Sequence, residues 1–512
     1  MAGFGWTDGA ATAAIDANPY LRSLGYSVFL GDGAYAFEKW DSLSLSYTLN
    51  IGDDNPDGEA VGVWTAELTT AIEMAIADIE AISGLTFTEI PDATNGSDGA
   101  DIDFWYYNNP SDGASGYSYT VAGPGVFLDE DSVFTTADGF DNGLAYGGVN
   151  YRTVIHELLH NIGLGHPHDG YASLPGVNTS GDMGDNAFNQ NIYTVMSYNR
   201  VQEFDANGEK TTGWPYTVSS TDQSFGVMGA FDVAMVQALY GANMTTATGD
   251  DTYYIPTANT EGTYYKAIWD AGGTDTFEYT GIGDVRIDLR AASLDPADGM
   301  VAGGIASKAE GIYGGFTIAN GAVIENAISG FGDADIRGND VANVITTKNG
   351  DDTVFGYKGA DFIETNDGED TINAGRGQDH VCSGDGKDTI FGGRGQDYLR
   401  GESGADLLRG NNGDDKLLGG GGNDRLQGGK GDDQLRGGNG ADRFQFSSGD
   451  GTDIVLDFDD GVDKIVFQSG VASFDNLTLI DENNETIIIA TGLVIQLKGV
   501  AVDLVDVDDF VF

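Results

Sequence analysis

The chain has 512 residues, enough for two or more domains, and its 40% hydrophobic content excludes a fully disordered polymer. Its 81 acidic residues against 24 basic ones give a formal net charge of -57, which argues against nucleic acid as a partner. Because so much negative charge repels itself, we expect either many cations in defined sites or a salt-rich environment.

The N-terminal segment MAGFGWTDGAATAAIDANPY lacks the basic region and apolar stretch of a cleaved secretory signal peptide. No apolar run reaches the length of a membrane span. Cys382 is the single cysteine, so no disulfide can form within the chain. We therefore expect that an exported protein of this sequence leaves the cell by another route and is stabilised by calcium.

The segment WTAELTTAIEMAIADIEAISGLTFTEI predicts a helix ending before Gly84, followed by an alternating strand. DIDFWYY predicts a further strand. For GASGYSYTVAGPGVF two readings stay open, an edge strand to which an extended substrate could add, or a surface hairpin. The apolar residues on one face of the predicted helix are Leu68, Ile72, Ile76, Ile79 and Ile82.

Three histidines cluster in HELLHNIGLGH, residues 156 to 166. His156 and His160, at i and i+4 of a predicted helix, point from the same face. Gly163 allows a sharp turn after the helix, so that His166 can return to the same point. Three neutral nitrogen ligands and one open position describe a catalytic zinc site. His168 is not required by this spacing, and we expect it in a solvated loop.

Glu157 follows the first of these histidines and need not bind the metal itself. Its carboxylate can hydrogen-bond the metal's water, act as general base and then donate a proton to the leaving amine. The alternative is a set of surface histidines on an ordinary helix. With the glycine and the third histidine included, the pattern favours peptide-bond hydrolysis.

HELLHNIGLGHP resembles the zinc signature of the metzincin metalloproteases, and Pro167 after the third histidine is similar to the serralysin subgroup. TVMSY, residues 194 to 198, resembles the Met-turn of that family. The resemblance implies that Met196 is an apolar floor beneath the zinc ligands. It implies that Tyr198 binds zinc in the resting enzyme and stabilises the oxyanion during turnover. Read without the family, both could be plain core residues.

FDVAMVQALYGAN resembles the helix that closes the serralysin catalytic domain, with Gly241 as its cap. The order along the chain, a helix, a strand and then a second helix that carries the metal ligands, fits the mixed α/β core of this protease class. MTTATGDDT breaks the helical pattern, so we place a domain boundary near residues 245 to 251.

A nine-residue period then governs the sequence for eleven units, each with an aspartate that has glycine two positions before it and an apolar residue two positions after it. This nonapeptide is a known calcium-binding β-helix repeat. The aspartates and turn carbonyls supply oxygen ligands for calcium, and without calcium we expect this region to be largely unfolded. A flexible linker, the alternative, would need neither fixed position. The predicted calcium ligands are Asp352, Asp361, Asp370, Asp379, Asp388, Asp397, Asp406, Asp415, Asp424, Asp433 and Asp442.

IWDAGGTDTFEYTG and GFTIANGAVIENAISGFGDADIRGND are similar to the serralysin lead-in to its β-roll. The final residues, VDVDDFVF, resemble the acidic-then-apolar C-terminus of proteins exported by type I secretion. In the calcium-poor cytosol the repeat would stay unfolded and suit a narrow export channel, and calcium outside would fold it.

The predicted fold class is an α+β metzincin protease domain followed by an all-β parallel β-roll. We expect a propeptide or flexible N-terminus at 1–20, the protease domain at 21–245, and the β-roll with its C-terminal secretion signal at 246–512, with repeats at 347–445. The predicted function is a secreted, extracellular bacterial endopeptidase with one catalytic Zn²⁺ and several structural Ca²⁺. Expected partners are protein or peptide substrates and the type I secretion machinery, with no nucleic acid and no membrane span, and we expect a monomer.

Two alternative functions compete with this one. One is a calcium-dependent structural or adhesive β-roll protein with an inactive protease domain, which the intact Glu157 argues against. The other is zinc-dependent hydrolysis of a non-peptide substrate, which the Met-turn resemblance disfavours.

Overall fold

The computed structural model of the chain describes defined segments before residue 314 and nearly all residues after it. The described residues are 4–6, 15, 21, 27–31, 34–40, 42–49, 65–91, 100–107, 116–119, 130–135, 149–167, 194–196, 227–259, 265–294, 307–309, 312, 314–483, 485–490 and 492–512. By proximity the chain divides into two compact units. Unit 1 comprises Met1–Gly249, Ala258–Gly273 and Ala291–Val323, and unit 2 comprises Asp250–Thr257, Thr274–Arg290 and Ile324–Phe512.

The secondary structure changes from mixed to all-β along the described residues. The helices are α1 (Ala66–Ile82), α2 (Val149–Asn161) and α3 (Ala230–Tyr240). The strands up to residue 135 are β1 (Phe4–Trp6), β2 (Ser27–Gly31), β3 (Ala34–Trp40), β4 (Ser44–Leu49), β5 (Thr86–Glu89), β6 (Ile102–Tyr107), β7 (Gly116–Tyr119) and β8 (Glu130–Thr135). The next strands are β9 (Thr252–Tyr254), β10 (Tyr265–Ile268), β11 (Thr276–Glu278), β12 (Val285–Asp288), β13 (Ser307–Ala309), β14 (Gly315–Ile318), β15 (Asn326–Ile328) and β16 (Ala334–Arg337).

The repeat region supplies short strands of regular length. They are β17 (Val344–Thr346), β18 (Thr353–Phe355), β19 (Phe362–Glu364), β20 (Thr371–Arg376), β21 (His380–Asp385), β22 (Thr389–Arg394), β23 (Tyr398–Ser403), β24 (Leu407–Asn412), β25 (Lys416–Gly421), β26 (Arg425–Lys430), β27 (Gln434–Asn439) and β28 (Arg443–Ser447). The last strands are β29 (Gly451–Val455), β30 (Lys464–Ser469), β31 (Thr478–Asp481), β32 (Thr486–Ala490), β33 (Leu493–Leu497) and β34 (Phe510–Val511), with 3-10 turns at Phe474–Asn476 and Val507–Asp509.

Unit 1 packs its helices around one apolar core. Thr65 caps the start of α1 by accepting a hydrogen bond from the Leu68 backbone N–H, and the predicted apolar face of α1 is buried. The strands form a sheet in the order β5-β4-β6-β8-β7, in which only the β7–β8 pair is antiparallel. β7 comes from the segment for which an edge strand and a hairpin both stayed open; it lies at this sheet's edge and pairs antiparallel with β8, the next described strand. Residues 120–127 of that segment lie outside the described residues. The remaining strand pairs of unit 1 are β1-β3-β2 and β10-β14.

Unit 2 consists of two sheets built from alternate strands of the chain. The first sheet has the order β9-β11-β15-β17-β19-β21-β23-β25-β27-β29-β33-β32-β31. The second sheet continues from β12 through β16, β18, β20, β22, β24, β26, β28 and β30 to β34. Paired residues in the repeat lie 18 positions apart, as Ile372 and Ile390 do, because two nine-residue units complete one turn.

The predicted fold class, an α+β unit followed by an all-β parallel roll, is confirmed. The apolar residue of every repeat unit is fully buried between the sheets, where its burial stabilises the roll. Among the described residues, no helix is long and apolar enough to cross a bilayer. The stacked residues are Val354, Ile363, Ile372, Val381, Ile390, Leu399, Leu408, Leu417, Leu426, Leu435 and Phe444.

Candidate metal centre

Helix α2 carries two histidines on one face. Its apolar residues, including Leu158 and Leu159, are fully buried and fix the orientation of the helix. His156 and His160 stand one turn apart, and they are only 7% and 5% exposed. A buried imidazole pair needs polar partners, so the environment of these rings decides what they can bind.

The chain reverses directly after α2 and brings in a third histidine. Gly163 has a φ of +98, a left-handed conformation that a side chain would disfavour. Its N–H donates to the carbonyl of His160 at 2.9 Å, which closes the end of the helix. The His166 Nε2 consequently lies 3.1 Å from the Nε2 of His156 and 3.3 Å from the Nε2 of His160.

Hydrogen bonds on the opposite ring nitrogens orient two of these imidazoles. The Nδ1 of His156 lies 3.0 Å from the Val195 carbonyl oxygen, and the Nδ1 of His160 lies 2.7 Å from that of Leu164. A carbonyl only accepts, so each Nδ1 donates and each Nε2 keeps its lone pair. Burial, followed by the proximity of His160 and His166, holds the pKa of His156 well below its usual value.

The donor set therefore fits a divalent metal ion. The three histidines offer ligand atoms that all lie within 4.8 Å of one another. The Nε2 lone pairs of His156 and His160 converge on the Nε2 of His166 at 3.1 and 3.3 Å, a spacing at which all three nitrogens can bind one cation. Neutral imidazoles that donate their other N–H to carbonyls are the usual arrangement at zinc.

The remaining predicted residues fall partly within the described chain. Glu157 is 6% exposed and adjoins His156 on α2. Met196 is fully buried in the core of unit 1, in the turn whose Val195 carbonyl holds His156. Tyr198 and His168 lie outside the described residues, so the roles assigned to them from sequence stay predictions.

Asp232 supports this centre and was not singled out from the sequence. Its carboxylate accepts hydrogen bonds from the Thr194 hydroxyl at 2.5 Å, the Val195 N–H at 2.7 Å and the Gly229 N–H at 2.8 Å. The side chain is fully buried, and burial raises its pKa to about 7. Asp232 thus fixes the turn that holds His156. An acidic residue in the first turn of an otherwise apolar helix was the available signal.

The aspartates of the repeat form a second candidate metal region, with a constant geometry. One carboxylate oxygen of each, Oδ1, accepts the backbone N–H of the residue 18 positions earlier. For example, Asp397 N donates to Asp415 Oδ1 at 2.9 Å and Asp406 N donates to Asp424 Oδ1 at 2.9 Å. The carboxylates of the repeat are therefore held in a regular ladder.

The other oxygen of each carboxylate is buried without a hydrogen-bond partner among the described residues. A row of buried, unpaired carboxylate oxygens is costly unless cations bind it. Glycine leaves the necessary space: a Cβ on Gly392 would lie 2.6 Å from Asp397 Oδ2 and 3.0 Å from the Gly410 carbonyl oxygen. Carboxylate and carbonyl oxygens around a small cavity fit calcium.

Burial raises the pKa of every aspartate in the ladder. It is raised to about 7 for Asp361 and Asp406, and to about 6 for Asp397 and Asp424. Burial is the main cause in each case. The buried ladder therefore disfavours ionised carboxylates unless bound cations compensate their charge.

The ladder continues beyond the predicted units. Asp453 Oδ1 accepts the N–H of Asp433 at 3.1 Å, and its Oδ2 is buried and, within the described part of the chain, has no hydrogen-bond partner, like the others. Burial, followed by the charge of Asp433 among other carboxylates, raises its pKa to about 8. Asp453 lies eleven residues after Asp442, so a strict nine-residue frame misses it, although Gly451 and Val455 flank it at the usual offsets.

The chain is similar in sequence to known proteins. Residues 231–490 match the family model described as "Peptidase M10 serralysin C terminal". The metallopeptidase AprA of Pseudomonas marginalis is 28% identical over 62% of this chain and 65% of its own. The serralysin of Photorhabdus laumondii is 30% identical over 54% of each chain, and that of Proteus mirabilis is 36% identical over 39% of this chain and 37% of its own. The similarity spans less than two thirds of the length of these relatives.

Proposed function

The chain belongs to the serralysin family, and from this premise we propose that it is a zinc-dependent endopeptidase that hydrolyses proteins outside the cell. The observation that carries the proposal is the convergence of three histidine Nε2 atoms, two of them kept unprotonated by hydrogen bonds on Nδ1. The similarity to metallopeptidases named serralysin and AprA supports it.

His156, His160 and His166 would hold the zinc ion, whose chemistry when bound is that of a Lewis acid that makes water more acidic. His156 and His160 are oriented by their Nδ1 hydrogen bonds before a metal binds, so little reorganisation of these two rings would accompany metal uptake. Asp232 contributes through the turn at residues 194–196, because a shift of Val195 would release the Nδ1 bond of His156.

Glu157 would act as the general base. Its position beside His156, nearly excluded from solvent, suits a carboxylate that takes a proton from the attacking water and passes a proton to the leaving amine. Tyr198 would donate to the oxyanion that develops on the substrate carbonyl, a role that rests on the family resemblance of TVMSY. Extended substrates could add as a strand to β7, which lies at the sheet edge.

Calcium would occupy the aspartate ladder of the roll. The unpartnered Oδ2 atoms support this proposal, and bound calcium would supply the charge compensation that the buried carboxylates require. Folding of the repeat would then depend on calcium, which suits export in an unfolded state through a type I system and folding outside. VDVDDFVF would serve as the export signal.

The corresponding domains would be a propeptide or flexible segment at 1–20, the protease at 21–245 and the β-roll at 246–512, in a monomeric protein. The structural units divide the residues between 246 and 323 in an interleaved manner. Limited proteolysis of the calcium-loaded protein would locate the boundary between them.

The deciding experiment compares the zinc- and calcium-loaded protein with its Glu157→Gln variant on an unfolded protein substrate. We expect the variant to retain stoichiometric zinc and lose activity by about 10²–10⁴-fold, because only the base is removed. Equal zinc content controls for an intact metal site. Failure of the parent to cleave, with zinc bound and the roll folded, would instead support a structural or adhesive β-roll protein with an inactive protease domain.

A further inference from the structure

The two sheets of the roll differ in charge at one equivalent position, the last residue of each six-residue strand. In the second sheet the residues at this position, from β20 to β26, are Arg376, Arg394, Asn412 and Lys430. In the first sheet, from β21 to β27, they are Asp385, Ser403, Gly421 and Asn439. A strongly acidic chain thus presents one basic row on its second sheet.

The basic row borders a groove of about 510 Å³ on the outer face of the second sheet. The groove combines aromatic rings, guanidinium groups and side-chain amides, and it lies entirely within unit 2. We call it the second-sheet groove. Its side-chain lining is Phe355, Tyr357, Asn373, Arg376, Phe391, Arg394, Asn411 and Asn412, with Gly375 and Gly393 at its base.

Two arginines of this groove stand side by side, and neither has an acidic partner among the residues that the structure describes. Arg376 and Arg394 are register partners on neighbouring strands, whose backbones are about 4.8 Å apart. Lys358, one step earlier in the row, is paired with Asp340. Among the described residues neither Arg376 nor Arg394 forms an ion pair, although the chain has more than three acidic residues for each basic one. Adjacent, exposed and unpaired guanidinium groups favour an external anion.

Tyr357 occupies a backbone conformation that a tyrosine disfavours. Its φ is +72, whereas the equivalent positions on the next strands are held by Gly375 and Gly393 at +112 and by Asn411 at +78. The ring is 37% exposed, and the Arg290 guanidinium lies 5.2 Å from its centroid. Glycine would satisfy the backbone better, so a side chain retained here against local strain points to a use for the ring.

From these contacts we propose that the second-sheet groove binds an acidic polysaccharide. The unpaired Arg376 and Arg394 would pair with carboxylate or sulfate groups of successive sugars. The rings of Tyr357 and Phe391 would contact the apolar faces of the sugars, and the amides of Asn373, Asn411 and Asn412 would bond their hydroxyls. A groove along a sheet of repeating strands suits a repeating polymer. Such binding would hold the protein on an anionic matrix independently of peptide hydrolysis.

The test uses full-length, calcium-loaded protein with the Glu157→Gln substitution, so that neither self-cleavage nor the outcome for the peptidase affects the result. Calorimetry would measure binding of short hyaluronan oligosaccharides, which carry carboxylates, and of heparin fragments, which carry sulfates. Neutral glucan oligosaccharides of matched length, poly-L-glutamate and single-stranded DNA serve as comparison ligands.

We expect an acidic glycan to bind at least about tenfold more tightly than the neutral glycan, poly-L-glutamate or DNA. Preference for hyaluronan would identify the recognised group as carboxylate, and preference for heparin would identify it as sulfate. Arg376→Gln with Arg394→Gln should weaken binding by about tenfold or more, because charge-assisted hydrogen bonds are lost. Tyr357→Gly should also weaken it while leaving the roll as stable as before, since the strain is relieved.

Matched controls lie on the first sheet. Glu402 has a φ of +73 at the equivalent strand position there, so Glu402→Gly relieves the same strain without touching the groove. Arg436→Gln removes an exposed arginine from that sheet. Equal loss of binding in these controls, absence of glycan binding, or equally tight binding of poly-L-glutamate or DNA would each overturn the proposal.

Discussion

The Val195 backbone connects Asp232 to His156: the Val195 N–H donates to the Asp232 carboxylate at 2.7 Å, and the Val195 carbonyl accepts from His156 Nδ1 at 3.0 Å. The aspartate therefore acts on a candidate metal ligand through one peptide unit. It lies on α3 rather than on the histidine helix α2, so the centre depends on the placement of both helices in the core of unit 1.

Asp232→Asn should weaken zinc binding. Asparagine keeps one acceptor oxygen and replaces the other by a donor NH₂ group, so it cannot accept all three hydrogen bonds that the carboxylate receives. The turn at 194–196 should therefore shift and loosen His156. We expect zinc affinity to fall by about 10–100-fold and stability to fall by about 1–3 kcal/mol. Competition with a chromophoric chelator measures the affinity.

Asp101→Asn is the matched control for this effect. Asp101 is 5% exposed and lies in the same unit, directly before β6. Its carboxylate accepts from the Ser46 N–H at 2.7 Å and the Ser46 hydroxyl at 2.8 Å on strand β4. Its substitution should reduce stability and leave zinc affinity unchanged. If both variants lose zinc equally, Asp232 has only a general structural role.

Much of the α1 face, the histidine cluster and the repeat could be predicted from sequence, because each depends on spacing within one element. Leu68 and Ile72 follow helical periodicity, and Leu399 follows the nine-residue period. Asp232 could not be predicted in the same way, since its partner Val195 is 37 residues away. Asp453 was not predicted as a calcium ligand, because the chain inserts two residues before it and so breaks the nine-residue period. The contrast between Arg376 and Asp385 emerges only when consecutive units are assigned to opposite sheets.

The calcium-free roll should be more stable at pH 5 than at pH 8. Buried aspartates such as Asp406 and Asp415 have pKa values raised to about 7, against about 3.9 in an unfolded chain. The folded state binds protons more tightly, so its stabilisation is complete below about pH 4 and is lost as pH rises to about 7. Circular dichroism in a chelator, recorded from pH 5 to pH 8, measures the fraction of folded roll, which should be small at pH 8 and larger at pH 5. Stability that stays constant from pH 5 to pH 8 would contradict it.

Asp453→Asn should remove calcium binding at the end of the ladder. Its Oδ2 is buried and has no hydrogen-bond partner in the described segments, as in the preceding units, so the carboxylate is available to a cation. Asp463 provides the matched control, because its Oδ1 accepts from Asp442 N at 2.9 Å and its Oδ2 accepts from Asp459 N at 2.8 Å. Calorimetry should show fewer bound calcium ions in Asp453→Asn only. Equal losses in both variants would mean that an unpartnered oxygen does not identify a ligand.

Gly392→Ala should disrupt one calcium site within the ladder without altering any carboxylate. The added Cβ would lie 2.6 Å from Asp397 Oδ2 and 3.0 Å from the Gly410 carbonyl oxygen, the space that the cation would need. Gly421→Ala is the control, because its Cβ would meet no atom closer than the Glu402 carbonyl oxygen at 3.9 Å. We expect the calcium concentration at the folding midpoint to rise for Gly392→Ala and to stay near the parent value for Gly421→Ala. A calcium titration followed by circular dichroism tests this, and equal midpoints for the two variants would show that the space beside Asp397 is not a cation site.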